Sequence, residues 1–175
     1  ADVALIIDAE PQFGKDEKIG DYPLHIPSVS VSSIGIGGGS IAHIGTDGLM
    51  KVGPESAGAV PGPACYGRDG LHPAVTDADL VLGKLDPNNF AGGSIPLFPD
   101  ASKAALGAHV GDTLNMDAVE AAFGVAEVVD ENMANAARVH AVENGEDLSE
   151  YTMIAFGGAA PLHAGRLCEK LGIDR

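Results

Sequence analysis

Between Ile34 and Val75 the chain holds more glycine and proline than a packed core can use, and this stretch limits what the rest can fold into. Gly35, Gly37, Gly38 and Gly39 follow a β-rich run, Val29 to Ile34, so the chain is expected to leave a strand and turn with its backbone bare. A residue without Cβ can take positive φ and let a ligand approach the main chain. Further on, GPESAGAVPGPACYG sets four glycines and three prolines among small residues with no helical or strand period. Pro54, Pro61 and Pro63 should stiffen it into a built loop. Long structureless segments inside a domain are usually functional loops or linkers, and Cys65 and Tyr66 argue against a linker.

The 175 residues suffice for one domain, which at this size buries roughly two-thirds of its unfolded surface. Tryptophan is absent and aromatics make up 5%, so the core must come from Ala, Val, Ile and Leu. Such a core suits α/β layers. A formal charge of -15 argues against nucleic acid and against anionic membrane surfaces, both of which call for a basic face. No apolar run reaches the length of a membrane span. Cys65 and Cys168 are too few and too far apart for a disulfide framework, which points to a reducing cytoplasm. The chain opens in strand-like ADVALIID and closes at LGIDR, and so reads as a segment of a longer protein.

The expected layout is a β-rich region over residues 1–75 and a helical region over 76–175. Val3 to Ile7 and Val29 to Ile34 read as strands, with Ala9 to Asp21 as a hairpin tip returning through His25 and Ile26. Ser40 to Ile44 and Leu49 to Val52 flank Thr46-Asp47-Gly48, a good turn between antiparallel strands. TDADLVLGKLDP predicts a short helix capped by Thr76 or Asp77, and Asp100 should cap another through Leu106 toward Val110. Asp117 to Glu143 carries Val119, Ala122, Phe123, Ala126, Val129, Met133, Ala137 and Val142 at helical spacing, with Asn144-Gly145 as its C-cap. Tyr151 to Phe156 reads as a strand, followed by GGAAP and a helix over Leu162 to Leu171. Strand, diglycine and helix in that order can receive an anion or a purine edge on free backbone amides.

Single residues leave alternatives open. GIGGGS matches neither the dinucleotide fingerprint nor the lysine-bearing phosphate loop, so it is either a ligand-facing loop or a tight turn. Cys65 is a nucleophile with His43, His72 or His163 as base, a metal ligand, or a small buried residue in a tight loop, and the lack of Cys-x-x-Cys or His-x-x-x-His spacing favours the last. Asp77 and Asp79 either bind Mg²⁺ or act as general base, or they cap a helix; Asp77 is the one expected to be catalytic. His163 is a ligand contact or a structural histidine. Lys51 and Arg68 are candidate phosphate contacts in an otherwise acidic chain.

Taken together, IGIGGGSIAHIGTDGLMKVGPESAGAVPGPACYGRDG, VTDADLVLGKLDP, FAGGSIP and AFGGAAPLHAGRLCEKLGI resemble the hydantoinase A and 5-oxoprolinase family, which includes acetone carboxylase type subunits. The resemblance runs from about Val3 to Ile173. It implies an actin-like, ribonuclease H-like ATPase fold, of which this chain would be part of the second lobe. It implies ATP and Mg²⁺ as cofactors, with ATP phosphorylating a cyclic amide oxygen so that water can open the ring. Gly157 and Gly158 correspond to the adenosine loop, and Gly37, Gly38, Gly39 and Ser40 to the glycine loop near the ligand cleft; Ala160 stands where the family more often has Gly. The family's Gly-Gly-Thr phosphate segments are absent, so the chain alone is expected to be inactive. Also implied are a hydantoinase B type partner subunit and a homo-oligomer. The PACYG and GGGS segments look more like the cyclic amide hydrolase branch. The alternatives are a ketone carboxylase subunit and a non-catalytic nucleotide-binding or assembly domain.

Overall fold

The computed structural model describes residues 1–14, 18–19, 21–23 and 25–174. The described residues up to Ser33 form antiparallel pairs with two-residue rungs. Asp2–Val3 pairs with Ser32–Ser33, and Phe13–Gly14 with Ser28–Val29. Between these, Ile6–Ile7 doubles back on Glu10–Pro11, and farther along Lys18–Ile19 pairs with Tyr22–Pro23. The continuous strand expected over Val3 to Ile7 is therefore broken. Asp8 and Ala9 both take positive φ, 54° and 63°, turning the chain at once. Leu5 is buried but Ile6 is 48% exposed, so only part of the apolar run finds a core.

The next two strands are better formed. Ser40–Ile44 (β1) and Met50–Ser56 (β2) pair antiparallel with Met50 opposite Ile44 and Val52 opposite Ala42. The turn between them closes on Asp47, whose carboxylate accepts from Leu49 N at 3.2 Å, and on Gly48 at φ +76°. The register shifts between Val52 and Ser56, and β2 runs four residues into the segment that has no strand period. Ser40 and Ala42 face inward, buried against the helices, as the period of two requires.

Helices complete the layer: Val75–Val81 (α1), Pro99–Leu106 (α2), Ala118–Asn144 (α3) and Ala164–Leu171 (α4), with α2 running on through a π-helical stretch, Gly107–Gly111, and a last turn, Asp112–Leu114. The long helix is the one the periodicity placed best. Asp117 caps it by accepting from Val119 N and Glu120 N, while Glu120 accepts from Asp117 N, and Gly145 ends it at φ +75°. Its face of Ala121, Ala122, Val125, Val129 and Met133 forms the core with Ile36, Ala42, Val52, Val75, Ala78, Leu106 and Val110. Alanines on both α1 and α3 let the two axes come close.

Other ends differ from expectation. α1 starts after Ala74 rather than at a Thr76 or Asp77 cap, and α2 starts after Phe98 with Pro99 in its first turn, a place where a missing N–H costs nothing. Tyr151 to Phe156 forms neither helix nor strand and pairs with no strand among the described residues. Its Ile154 and Phe156 stand 78% and 84% exposed. A strand pattern becomes a strand only where a neighbour offers a ladder. α4 lies on α3 through ions. Arg166 reaches Glu127 at 2.8 Å, and Lys170 reaches Glu127 at 3.1 Å and Glu131 at 3.0 Å. Hydrogen bonds from Arg166 and then Lys170 pull the Glu127 carboxyl down to about 2. No described helix is long and apolar enough to cross a membrane.

Candidate functional site

One turn of α1, Thr76 to Asp79, supplies three polar side chains that each hold a different loop. The first loop is Gly37 to Ser40. Gly38 O accepts from both Thr76 N and Thr76 Oγ1, each at 2.9 Å, and Gly37 N donates to Ser40 Oγ at 3.0 Å. Gly39 O accepts from Ala57 N at 2.8 Å, which ties this loop to the end of β2. A Cβ on Gly38 would lie 2.8 Å from Thr76 Oγ1 and 3.7 Å from Ala159 Cβ. Glycine is required there by close approach, not by positive φ. Ala159 thus lies beside Gly38, and the last glycine loop passes near the first.

The second loop is Pro63 to Tyr66, held by Asp77. Its carboxylate is fully buried and accepts four hydrogen bonds: Oδ1 from Cys65 N at 2.8 Å and Ser102 Oγ at 2.7 Å, Oδ2 from Ala64 N at 3.1 Å and Ala74 N at 2.8 Å. A buried charge is tolerated when every lone pair is met in this way. Cys65 is itself fully buried; burial first and the Asp77 charge second push its thiol well above the usual thiol range. It is a packed residue rather than a nucleophile; of the histidines offered as its base, His163 lies between Asp130 and Asp79, and the His72 ring lies 4.8 Å from that of His109.

The third loop, Gly157 to Pro161, ends in His163. Residues Ala160–His163 form one 3₁₀ turn before α4, so the helix begins later than Leu162. His163 is buried, with Nδ1 2.7 Å from Asp130 Oδ1 on α3 and Nε2 3.3 Å from Asp79 Oδ2 on α1, the latter off line for a hydrogen bond. Lys84 Nζ sits 3.1 Å from the other Asp79 oxygen. Burial alone would favour neutral imidazole, but the two carboxylates outweigh it and raise His163 to about 9. Its ring is closed to solvent.

Gly157 and Gly158 are exposed, and a Cβ on either would meet nothing within 4 Å. Gly157 takes φ +102°, a glycine conformation, whereas Gly158 does not. Beside the first loop a hollow of about 360 Å³ is lined by Ile34, Gly35, Val52, Pro54, Asn132 and Asn135, among others. Lys51 pairs with Asp47 at 2.8 Å, and Arg68 donates to Ala59 O and lies over the Tyr66 ring. His43 stands opposite Lys51 in the β1–β2 ladder.

Sequence reasoning missed Ser102, Lys84 and Asp130. Asp130 had a readable signal, since it falls between Ala126, Val129, Met133 and Ala134 on the buried face of α3. A charge at an apolar period needs a buried partner. The fit to a divalent cation is poor: Asp77 is saturated, Asp79 faces His163 and Lys84, and no set of three metal-type donors gathers among the described residues.

The family model described as hydantoinase/oxoprolinase matches residues 1–175. The chain belongs to this family. It is 39% identical over 171 residues to the caprolactamase subunit alpha of Pseudomonas jessenii, covering 98% of this chain and 25% of that protein. Among solved structures of this kind, an ATP-dependent caprolactamase from Pseudomonas jessenii superposes with a TM-score of 0.86 at 40% identity, over 92% of this chain and 23% of that one. A nucleotide-free acetone carboxylase superposes with a TM-score of 0.89 at 31% identity, over 99% of this chain and 24% of that one. The hydantoinase/oxoprolinase chain described here thus spans about a quarter of the length of such relatives.

Proposed function

We propose that this chain is the adenosine side of the site in an ATP-dependent cyclic amide hydrolase, within the second lobe of an actin-like fold. The observation that carries the reading is the meeting of the glycine loops at α1, with Gly157 and Gly158 left bare beside them. The exposed diglycine suits close approach of a purine or ribose to the backbone. A lactam carbon is a poor electrophile, and the fixed task of the site is to make it a better one. Transfer of the γ-phosphoryl group to the lactam oxygen breaks the bond to the bridging oxygen of ADP. Water then adds to the activated carbon, the C–N bond breaks with the ring nitrogen leaving as amine, and a second water releases phosphate from the acyl phosphate. The hollow near Asn132 and Asn135 offers carboxamides whose N–H and C=O complement those of a lactam, on an apolar floor. Mg²⁺ would neutralise charge on the phosphates; its protein ligands are assigned outside Asp77 and Asp79.

Asp77 is proposed as a positioning residue, because its oxygens are spent on the loop. The parent protein is proposed to act in the cytoplasm, with free Cys65 and Cys168, as a homo-oligomer joined by a hydantoinase B type subunit; the subunit naming of the caprolactamase relative supports the last point. A second reading, a ketone carboxylase subunit, is favoured by the 0.89 superposition on acetone carboxylase. The two separate in one assay of the intact protein with its partner subunit. ADP release stimulated by 5-oxoproline, hydantoin or caprolactam is expected; stimulation by acetone with bicarbonate and by none of the lactams would replace the first reading with the second.

A further inference from the structure

His163 terminates the loop that carries Gly157 and Gly158, yet its side chain is wholly buried and cannot itself touch a ligand. Its ring sits between two carboxylates, with Nδ1 hydrogen-bonded to Asp130 on α3 at 2.7 Å and Nε2 3.3 Å from Asp79 on α1 but out of line. Lys84, partly exposed, faces the same Asp79 at 3.1 Å, so two buried carboxylates and the buried imidazole meet one ammonium at their edge. An apolar trio of equal volume would fill that space without desolvating any charge, so packing does not account for the arrangement. A planar ring gripped from both edges has what an apolar side chain lacks, a fixed orientation relative to two helices at once. The backbone of residue 163 is thereby fixed, and with it the path of the loop that places Ala159 against Gly38. The two grips are unequal. The Asp130 contact is a well-formed hydrogen bond, while His163 Nε2 and both Asp79 oxygens lack an aligned partner.

We propose that His163, clamped by Asp130 and Asp79, is the positioning residue that sets the Gly157–Pro161 loop for nucleotide, with Asp130 the dominant clamp. This rests on the reading of that loop as the adenosine contact. A ring turned away from Asp130 would carry Ala160 and Pro161 with it and draw Ala159 away from Gly38. The positioning acts on affinity and not on the number of sites.

Calorimetric titration of the intact protein with ATP and with adenosine separates these quantities, because misfolded protein lowers the stoichiometry while a displaced loop raises Kd. His163→Gln is expected to raise Kd for both ligands by about tenfold or more, and Asp79→Asn by less than Asp130→Asn, following the order of the contacts. Should His163→Gln fail to fold, Asp130→Asn carries the test, since it keeps the size of the side chain and weakens the clamp by removing the charge that strengthens its hydrogen bond to Nδ1. Unchanged Kd in His163→Gln and Asp130→Asn, whatever the stoichiometry, would overturn the proposal. Absence of ATP and adenosine binding by the folded unsubstituted protein would instead remove the nucleotide reading on which it rests.

Discussion

A side chain on Gly38 would place its Cβ 2.8 Å from Thr76 Oγ1, and the same hydroxyl donates to the Gly38 carbonyl. Threonine is stiff at χ1, so the hydroxyl cannot swing aside freely. Gly38→Ala is expected to cost about 1–3 kcal/mol by overpacking. Thr76→Ala in the same chain should recover part of it, a non-additivity that a double-mutant cycle in urea reads directly. At Asp77 the argument runs the other way, through loss. Asp77→Ala leaves Ala64 N, Cys65 N, Ala74 N and Ser102 Oγ without their acceptor. At a partial penalty for each, about 3–5 kcal/mol of stability is expected to go, measured by denaturant unfolding. A catalytic Asp77 would behave differently, with Asp77→Asn abolishing turnover at unchanged stability. Residue types were legible in the sequence, since Thr76, Asp77, Asp79 and His163 were all singled out. Their directions were not, because a carboxylate one residue along a helix turns about 100° and meets another element altogether.

At the scale of elements, α3 was legible because capping, period and C-terminal glycine agree over 27 residues. The β-rich end was not: its rungs are two residues long, and an apolar run such as Val3 to Ile7 does not say where Asp8 and Ala9 will turn. The strand read into Tyr151 to Phe156 depended on a neighbour that the same residues cannot specify. How the last loop is held to α1 and α3 has a pH signature. The groups facing His163 are Asp79 and Lys84 from α1 and the turn after it, and Asp130 from α3. His163 is raised from 6.5 to about 9, so folding favours its charged form. That contribution is complete below about pH 6.5 and is lost as pH rises through about 9, a change of about 3 kcal/mol. Unfolding midpoints measured from pH 6 to pH 10 should fall across this window, and the fall should vanish in a folded Asp79→Asn/Asp130→Asn variant.

For the whole molecule, three loops distant in sequence converge because α1 lies between β1, α3 and the final turn, and Thr76, Asp77 and Asp79 leave it in different directions. Motif order made the family legible, and the family match covers residues 1–175. What single motifs could not give was which carboxylate is buried and which loop each one serves. The central claim is that the bare diglycine receives adenosine, and Gly158 allows a direct test. A Cβ there meets no atom within 4 Å and its φ is not positive, so Gly158→Val should fold as the parent does. It would nevertheless fill the space a ligand needs beside the loop. Calorimetric titration of ATP into the intact protein and into Gly158→Val is the measurement: the account expects affinity to fall by about tenfold or more, roughly 1.4 kcal/mol, at an unchanged melting temperature. Equal ATP affinity in the two proteins would contradict it.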